Sequence, residues 1–262
     1  MSLPFGLPEL TAITDEAAAL ARNGLKEPLD LRWKSDGSPV TAVDSAVDEF
    51  LRRKLEALLP AAGWLSEESA DDRTRLDREL VWIVDPIDGT KQLVSGIPEV
   101  AISIGLASAG RVVAAAVVNP MTAERGLWIE GGPPAFERLA ARPAPLSLED
   151  ADAIVSRTES EAGDLVGLED LVGSTRPVGS VAYKLLRVAA RADALTYSVT
   201  PKSEWDVCGG VGLVLGAGGV YLRLDRKPLR FNLARPRVPC GAVAGPPALA
   251  QALREKLNAR RA

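Results

Sequence analysis

Hydrophobic positions recur along this chain with two different periods, and the changes of period mark out its elements. Leu10, Ile13, Ala17 and Leu20 fall at helical spacing and predict an amphipathic helix over residues 9–22. Lys34 to Val40, with Gly37 and Pro39, reads as a turn or hairpin tip. Thr41 can cap a second helix running to Leu59, with Val43, Val47, Phe50, Leu51, Leu55 and Leu58 on its apolar stripe. Pro60 and Gly63 end it, and Trp64-Leu65 then predicts a short strand leading into Ser66-Glu67-Glu68-Ser69. The apolar run Val81 to Val84 predicts a strand that delivers Asp85. Runs 100–107 and 111–118, split by Ala109-Gly110, predict an antiparallel hairpin, and residues 126–130 a further strand.

Residues 131–148 are rich in Pro and Ala and read as loop, with a boundary near residue 148. Beyond it the pattern alternates: strand 153–156, helix from 159, strand 174–178, helix 180–191, strand 194–198, helix 204–216, strand 219–224. That rhythm predicts an α/β fold with layered helices and sheets, in two halves, 1–148 and 149–262. A last amphipathic helix over 247–260 is basic at its C-terminal end, which suits the helix dipole.

Composition narrows the function. A hydrophobic content of 47% and a charged content of 25% are ordinary for a globular protein. The net charge of −4 argues against a nucleic-acid polymer as partner. No 18-residue apolar run predicts a membrane span. The N-terminal residues, with Pro4, Glu9, Asp15 and Glu16, do not read as a secretory signal. Cys208 and Cys240 are too few for a disulfide framework, so a cytoplasmic location is the default expectation. The chain has no histidine, which excludes Ser-His-Asp and Cys-His catalysis and His-ligated zinc. Metal work falls to oxygen ligands, which favour Mg²⁺, Mn²⁺ or Ca²⁺.

The densest chemistry lies at residues 82–90, Trp-Ile-Val-Asp-Pro-Ile-Asp-Gly-Thr. Asp85 ends an apolar strand, where α/β sheets place ligands. Gly89-Thr90 allows a phosphate close to the backbone. Asp44, Glu67 and Asp206 are further candidates. Each has an ordinary structural reading alone: Asp44 and Asp206 as helix-start charges, Glu67 with Glu68 as a solvated run, Asp88-Gly89 as a turn. Together they form a carboxylate set that needs a cation to offset repulsion. Trp33, Trp64, Trp82 and Trp128 sit in or beside apolar runs and read as core.

These residues resemble a known family in an ordered set spanning 34 to 232. The set is Lys34 with Val40-Thr41-Ala42-Val43-Asp44, then Ser66-Glu67-Glu68-Ser69, the Asp-Pro-Ile-Asp-Gly-Thr core, and Glu204-Trp205-Asp206-Val207-Cys208-Gly209-Gly210. It is similar to that of the lithium-sensitive, Mg²⁺-dependent phosphomonoesterases of the inositol monophosphatase superfamily. The resemblance implies a layered α-β-α-β-α sandwich in which the first half holds metal and phosphate and the second recognises substrate. It implies two to three Mg²⁺ ions: Glu67, Asp85 and the Ile87 carbonyl on the first, Asp85, Asp88 and Asp206 on the second. It implies that Asp44 and Thr90 activate the attacking water and that the amides of Gly89 and Thr90 hold the phosphate. A small phosphate monoester is the implied substrate, and homodimers are common among such enzymes.

Three details resemble the 3′(2′),5′-bisphosphate nucleotidase branch. Lys91 follows Asp-Gly-Thr; Gly179-Ser180 is followed by Lys184; and Ser156-Arg157-Thr158-Glu159 is similar to a nucleotidase element that ends in histidine. Lys91, Ser180 and Lys184 are thus expected on the substrate, with 3′-phosphoadenosine 5′-phosphate as the leading candidate and inositol 1-phosphate the alternative. A non-catalytic phosphate sensor on the same fold is the reading from another class. The complete carboxylate set argues against it.

Overall fold

The N-terminal stripe forms α1 (Leu7–Gly24) in the computed structural model, which describes residues 3–26, 30–33 and 39–261. β1 (Leu31–Trp33) pairs antiparallel with β2 (Pro39–Thr41), so the expected hairpin is present; Lys34 and its tip, residues 34–38, lie outside the described residues. α2 (Ala42–Leu58) starts at Thr41, whose hydroxyl accepts the Val43 N–H at 3.2 Å. There follow β3 (Gly63–Ser66), β4 (Leu80–Asp88), the short α3 (Thr90–Val94), β5 (Ala101–Ser108), β6 (Arg111–Val118), β7 (Arg125–Ile129) and β8 (Ala135–Glu137). β3 to β8 form one six-stranded sheet in chain order, with β3 and β4 parallel and the other pairs antiparallel.

The later residues supply β9 (Asp152–Ser156), α4 (Arg157–Ala162), β10 (Ser174–Val178), α5 (Val181–Ala189), β11 (Leu195–Ser198), β12 (Lys202–Ser203), α6 (Glu204–Gly216), β13 (Val220–Arg223), β14 (Arg237–Val238), β15 (Ala242–Gly245) and α7 (Pro247–Arg261). A second sheet runs in the order β10-β9-β11-β15-β13. Four strands escape the hydrophobic pattern. β8 lies in the stretch expected to be loop, and β12 and β14 are two residues each, too short to show alternation. β15 is Ala-Val-Ala-Gly, whose small residues are weak strand formers.

Three apolar clusters define the layers. α1 and α2 cover one face of the six-stranded sheet through Leu10, Val47, Leu51 and Leu55 against Val84, Ile102 and Ile104. α5 and α6 fill the space between the two sheets, with Leu185, Val207 and Val211 against Ile83, Val117 and Ile154. α7 covers the outer face of the second sheet through Leu253 and Leu257. The result is the α-β-α-β-α sandwich. α6 lies so close to β5 that a Cβ on Gly209 would stand 2.7 Å from Ser103 Oγ. Trp82 and Trp128 are buried, but Trp33 is 67% exposed, which corrects its assignment to the core. β1 belongs to the small ribbon rather than to either sheet, so no layer covers it. Among the described residues, no helix is long and apolar enough to cross a membrane.

Candidate active site

β4 carries the centre of the site. Residues three apart in a regular strand face opposite sides of a sheet. Here the ladder with β5 keeps register to Asp85↔Ser103, then shifts before Asp88↔Ala101. Pro86 has no N–H to give the ladder, and the bulge re-aims the chain. Gly89 follows with φ +99°, a conformation that favours glycine, and a Cβ there would stand 2.9 Å from the Glu99 carbonyl oxygen.

Glu67, Asp85 and Asp206 each contribute a carboxylate oxygen to a group whose members all lie within 4.8 Å of one another. Asp85 is 1% exposed. Its Oδ1 accepts the Ile87 N–H at 3.0 Å, while its buried Oδ2 accepts no hydrogen bond among the described residues. Burial and then the charges of Glu67, Asp88 and Asp206 push the Asp85 carboxyl well above the usual carboxylate range. Burial, with Asp88 and Glu67, likewise raises Asp206 to about 8. A buried carboxyl oxygen without a donor, inside an all-oxygen cluster, fits a hard divalent cation such as Mg²⁺. Asp88 stands outside the tight triad. Its Oδ2 accepts Ser180 Oγ–H at 2.7 Å and the Ala182 N–H at 2.6 Å, and burial outweighs these bonds to raise its carboxyl. The Ile87 carbonyl accepts the Thr90 hydroxyl at 3.1 Å and retains a second lone pair.

Asp44 occupies the first turn of α2 and is buried. Its Oδ2 accepts the Thr41 N–H at 2.9 Å and the Thr41 hydroxyl at 2.5 Å. Its Oδ1 accepts the Thr90 hydroxyl at 2.9 Å. The helix-cap reading and the chemical one therefore hold together: one oxygen caps and the other faces Thr90.

Several positioning groups carry no isolated sequence signal. Asp48, one turn beyond Asp44, accepts hydrogen bonds from Ser66 and Ser69 and so ties the Glu67 loop to α2. Its i+4 spacing from Asp44 is the one local clue. Arg75 is fully buried and donates to Asp71 (2.7 and 3.0 Å), Asn232 Oδ1 (2.6 Å) and the Leu233 carbonyl (3.0 Å). Glu204 accepts the N–H groups of Asn232 and Leu233 at 2.7 and 2.9 Å, and burial raises its carboxyl to about 7. This chain of bonds joins the loop after Glu67 to the start of α6. Partners so distant in sequence leave no pattern to read.

The substrate residues are arranged differently from the sequence expectation. Lys184 is buried, and its ammonium donates to the carbonyls of Val178 (3.2 Å) and Ser180 (3.0 Å). Burial pulls it down to about 8, against the attraction of Asp88. The Ser180 hydroxyl is spent on Asp88 and on the Tyr183 N–H. Ser180 thus holds Asp88, and Lys184 holds the carbonyls of the turn that carries Ser180. Lys91 is exposed at the start of α3. Glu159, where the nucleotidase element has histidine, is buried against Lys202 (2.6 Å), Ser198 (2.6 Å) and Thr200. Burial opposes its ionisation, but Lys202 and the hydroxyl donors outweigh it and hold the carboxyl below its usual value. Arg157 is paired with Glu99 at 2.8 Å.

An oxygen-only acidic cluster, drawn from the residue after β3, from its parallel partner β4 and from the start of α6 inside this five-layer sandwich, is the arrangement expected of a metal-dependent phosphomonoesterase. The profile of the inositol monophosphatase family matches residues 8–261, and the chain belongs to that family. It is similar to an inositol-1-monophosphatase of Rhizobium meliloti (strain 1021), 31% identical, covering 94% of this chain and 93% of that one. It is also similar to a histidinol-phosphatase of Mycobacterium tuberculosis, 34% identical over 82% of this chain and 85% of the other. Among solved structures, the Thermotoga maritima IMPase superposes with a TM-score of 0.81 at 21% identity, covering 97% and 96% of the two chains. The family is one of Mg²⁺-dependent phosphoric monoester hydrolases.

Proposed function

We propose that this protein hydrolyses the 3′-phosphate of 3′-phosphoadenosine 5′-phosphate, leaving AMP and phosphate. The observation that carries the chemistry is the 2.9 Å hydrogen bond from Thr90 Oγ1 to Asp44 Oδ1, beside the Glu67–Asp85–Asp206 cluster. Glu67, Asp85, Asp88, Asp206 and the Ile87 carbonyl would hold Mg²⁺. Bound there, Mg²⁺ supplies a more acidic water and neutralises charge on the attacking and leaving oxygens of an in-line displacement. The Thr90 hydroxyl accepts a proton from the attacking water as it passes its own to Asp44 Oδ1. Thr41 holds the other Asp44 oxygen and so fixes the direction of that transfer. Gly89 keeps the space above the turn free of a side chain, so the Gly89 and Thr90 amides can meet the phosphate.

Exposed Lys91, next to those amides, supports a substrate with more negative charge than inositol phosphate. The names of similar proteins favour a second reading, inositol 1-phosphate. The test is Mg²⁺-dependent phosphate release from the nucleotide bisphosphate, inositol 1-phosphate, histidinol phosphate and fructose 1,6-bisphosphate. The expected order puts the nucleotide first. Equal or greater kcat/KM for inositol 1-phosphate overturns the nucleotide reading in favour of the second.

A further inference from the structure

A cleft of about 720 Å³ opens beside the carboxylate cluster, and its cations have no part in the chemistry above. Glu67, Arg73 and the Arg75-paired Asp71 lie on one wall, Ser203 and Trp205 on the wall at the start of α6, and Arg235 and Arg237 on the third. Glu67 thus lines both this cleft and the acidic cluster. Arg73, Arg235 and Arg237 are exposed, and among the described residues their guanidinium groups form no ion pair and donate no hydrogen bond. Arg125, Arg157, Arg187 and Arg223, by contrast, are all paired with carboxylates.

The walls are held from behind by buried polar groups. β12 pairs with β14 so that Ser203 faces Arg237 in register, three residues before Asp206. The Glu204 N–H donates to the Pro236 carbonyl at 3.0 Å, between the two arginines. The Arg75–Asn232–Glu204 chain fixes the segment entering Arg235 against the loop that leaves Glu67. The unpaired guanidinium forks of Arg73, Arg235 and Arg237, with the Ser203 hydroxyl, suit a phosphoryl group, whose oxygens take bidentate bonds from arginine; the Ser69 hydroxyl is already committed to Asp48. A chain of net charge −4 with a carboxylate centre repels a polyanion unless cations stand locally against it.

We propose that this cleft holds the second phosphoryl group of a bisphosphorylated substrate while the scissile one lies over the carboxylate cluster. The inference rests on the reading above for the nucleotide as carrier. Its test compares kcat/KM for 3′-phosphoadenosine 5′-phosphate with that for 3′-AMP, which lacks the second phosphate, in the wild type and in Arg235→Gln/Arg237→Gln. The double variant should lose at least tenfold on the bisphosphate and less than twofold on 3′-AMP, with an unchanged melting temperature. An equal loss on both substrates, or none on either, overturns the inference while leaving the nucleotide reading intact. If neither nucleotide is hydrolysed, that reading fails, and the same ratios with inositol 1,4-bisphosphate and inositol 1-phosphate decide the cleft separately. Stimulation of 3′-AMP turnover by inorganic phosphate in the wild type, lost in the variant, would make the occupant a free anion and overturn the assignment to substrate.

Discussion

The starts of α2 and α6 are built alike and put to different uses. Each carries an aspartate three residues after the cap, Asp44 after Thr41 and Asp206 after Ser203. In each, Oδ2 accepts the cap residue's backbone N–H at 2.9 Å. Asp44 meets the Thr90 hydroxyl through Oδ1, whereas Asp206 brings a carboxylate oxygen to within 4.8 Å of those of Glu67 and Asp85. On the proposed function, the same helix-start motif supplies a proton acceptor beside Thr90 and a cation ligand beside Glu67 and Asp85. What separates the two roles is the neighbouring charge rather than the local sequence.

Substitution at each aspartate separates the roles. Asp206→Asn keeps the shape of the cap and removes one charge from the cluster. Mg²⁺-dependent turnover should fall by at least about a thousandfold, since the metal and its charge stabilisation are lost together. The metal-free variant should melt higher than the metal-free wild type at neutral pH, because burial, with Asp88 and Glu67 nearby, makes the wild-type carboxyl take up a proton on folding, whereas the amide is neutral in both states. An unchanged Mg²⁺ response in calorimetry would break the comparison. Asp44→Asn removes only the acceptor, so kcat should fall by roughly a hundred- to ten-thousandfold while the Mg²⁺-induced rise in melting temperature is retained.

The pH dependence of metal stabilisation sharpens the same contrast. In the metal-free fold the Asp206 carboxyl rises from 3.8 to about 8. Between about pH 4 and pH 8 the unfolded chain gives up this proton while the folded chain keeps it, so the metal-free fold loses stability as pH rises. Mg²⁺ binds the ionised form, so its thermal shift should grow from pH 6 to pH 9. A flat profile in scanning fluorimetry contradicts the clustered charge. The smallest effect belongs to Thr41→Ala. Loss of the cap costs about 1 kcal/mol, or roughly 2–4 °C in a domain of this size. A modest fall in kcat should accompany it, because the hydroxyl also holds Asp44.

Much of the chemistry is legible in the amino-acid sequence because it is local. The strand 81–84, the bulge at Pro86 and the turn at Gly89 lie within nine residues, and helix caps announce Asp44 and Asp206. Lys184 misleads for the opposite reason. Its backbone partners, Val178 and Ser180, are brought under it by the turn into α5, where Ser180 takes φ +52°. Arg75 reads as one more surface arginine, yet it is buried by Asn232 and Leu233, more than 150 residues away. Trp33 reads as core from its apolar neighbours, but those neighbours form a three-residue edge ribbon. Contacts made by chain neighbours leave a pattern in the sequence, whereas contacts made by the packing of layers do not.

The most direct test measures Mg²⁺-dependent phosphate release from 3′-phosphoadenosine 5′-phosphate by the wild type and by Asp44→Asn, with Mg²⁺-induced thermal shifts recorded on the same samples. The account predicts turnover that EDTA abolishes in the wild type, little turnover in the variant, and the same thermal shift in both. Wild-type turnover by Asp44→Asn, or turnover that persists without a divalent cation, would contradict it.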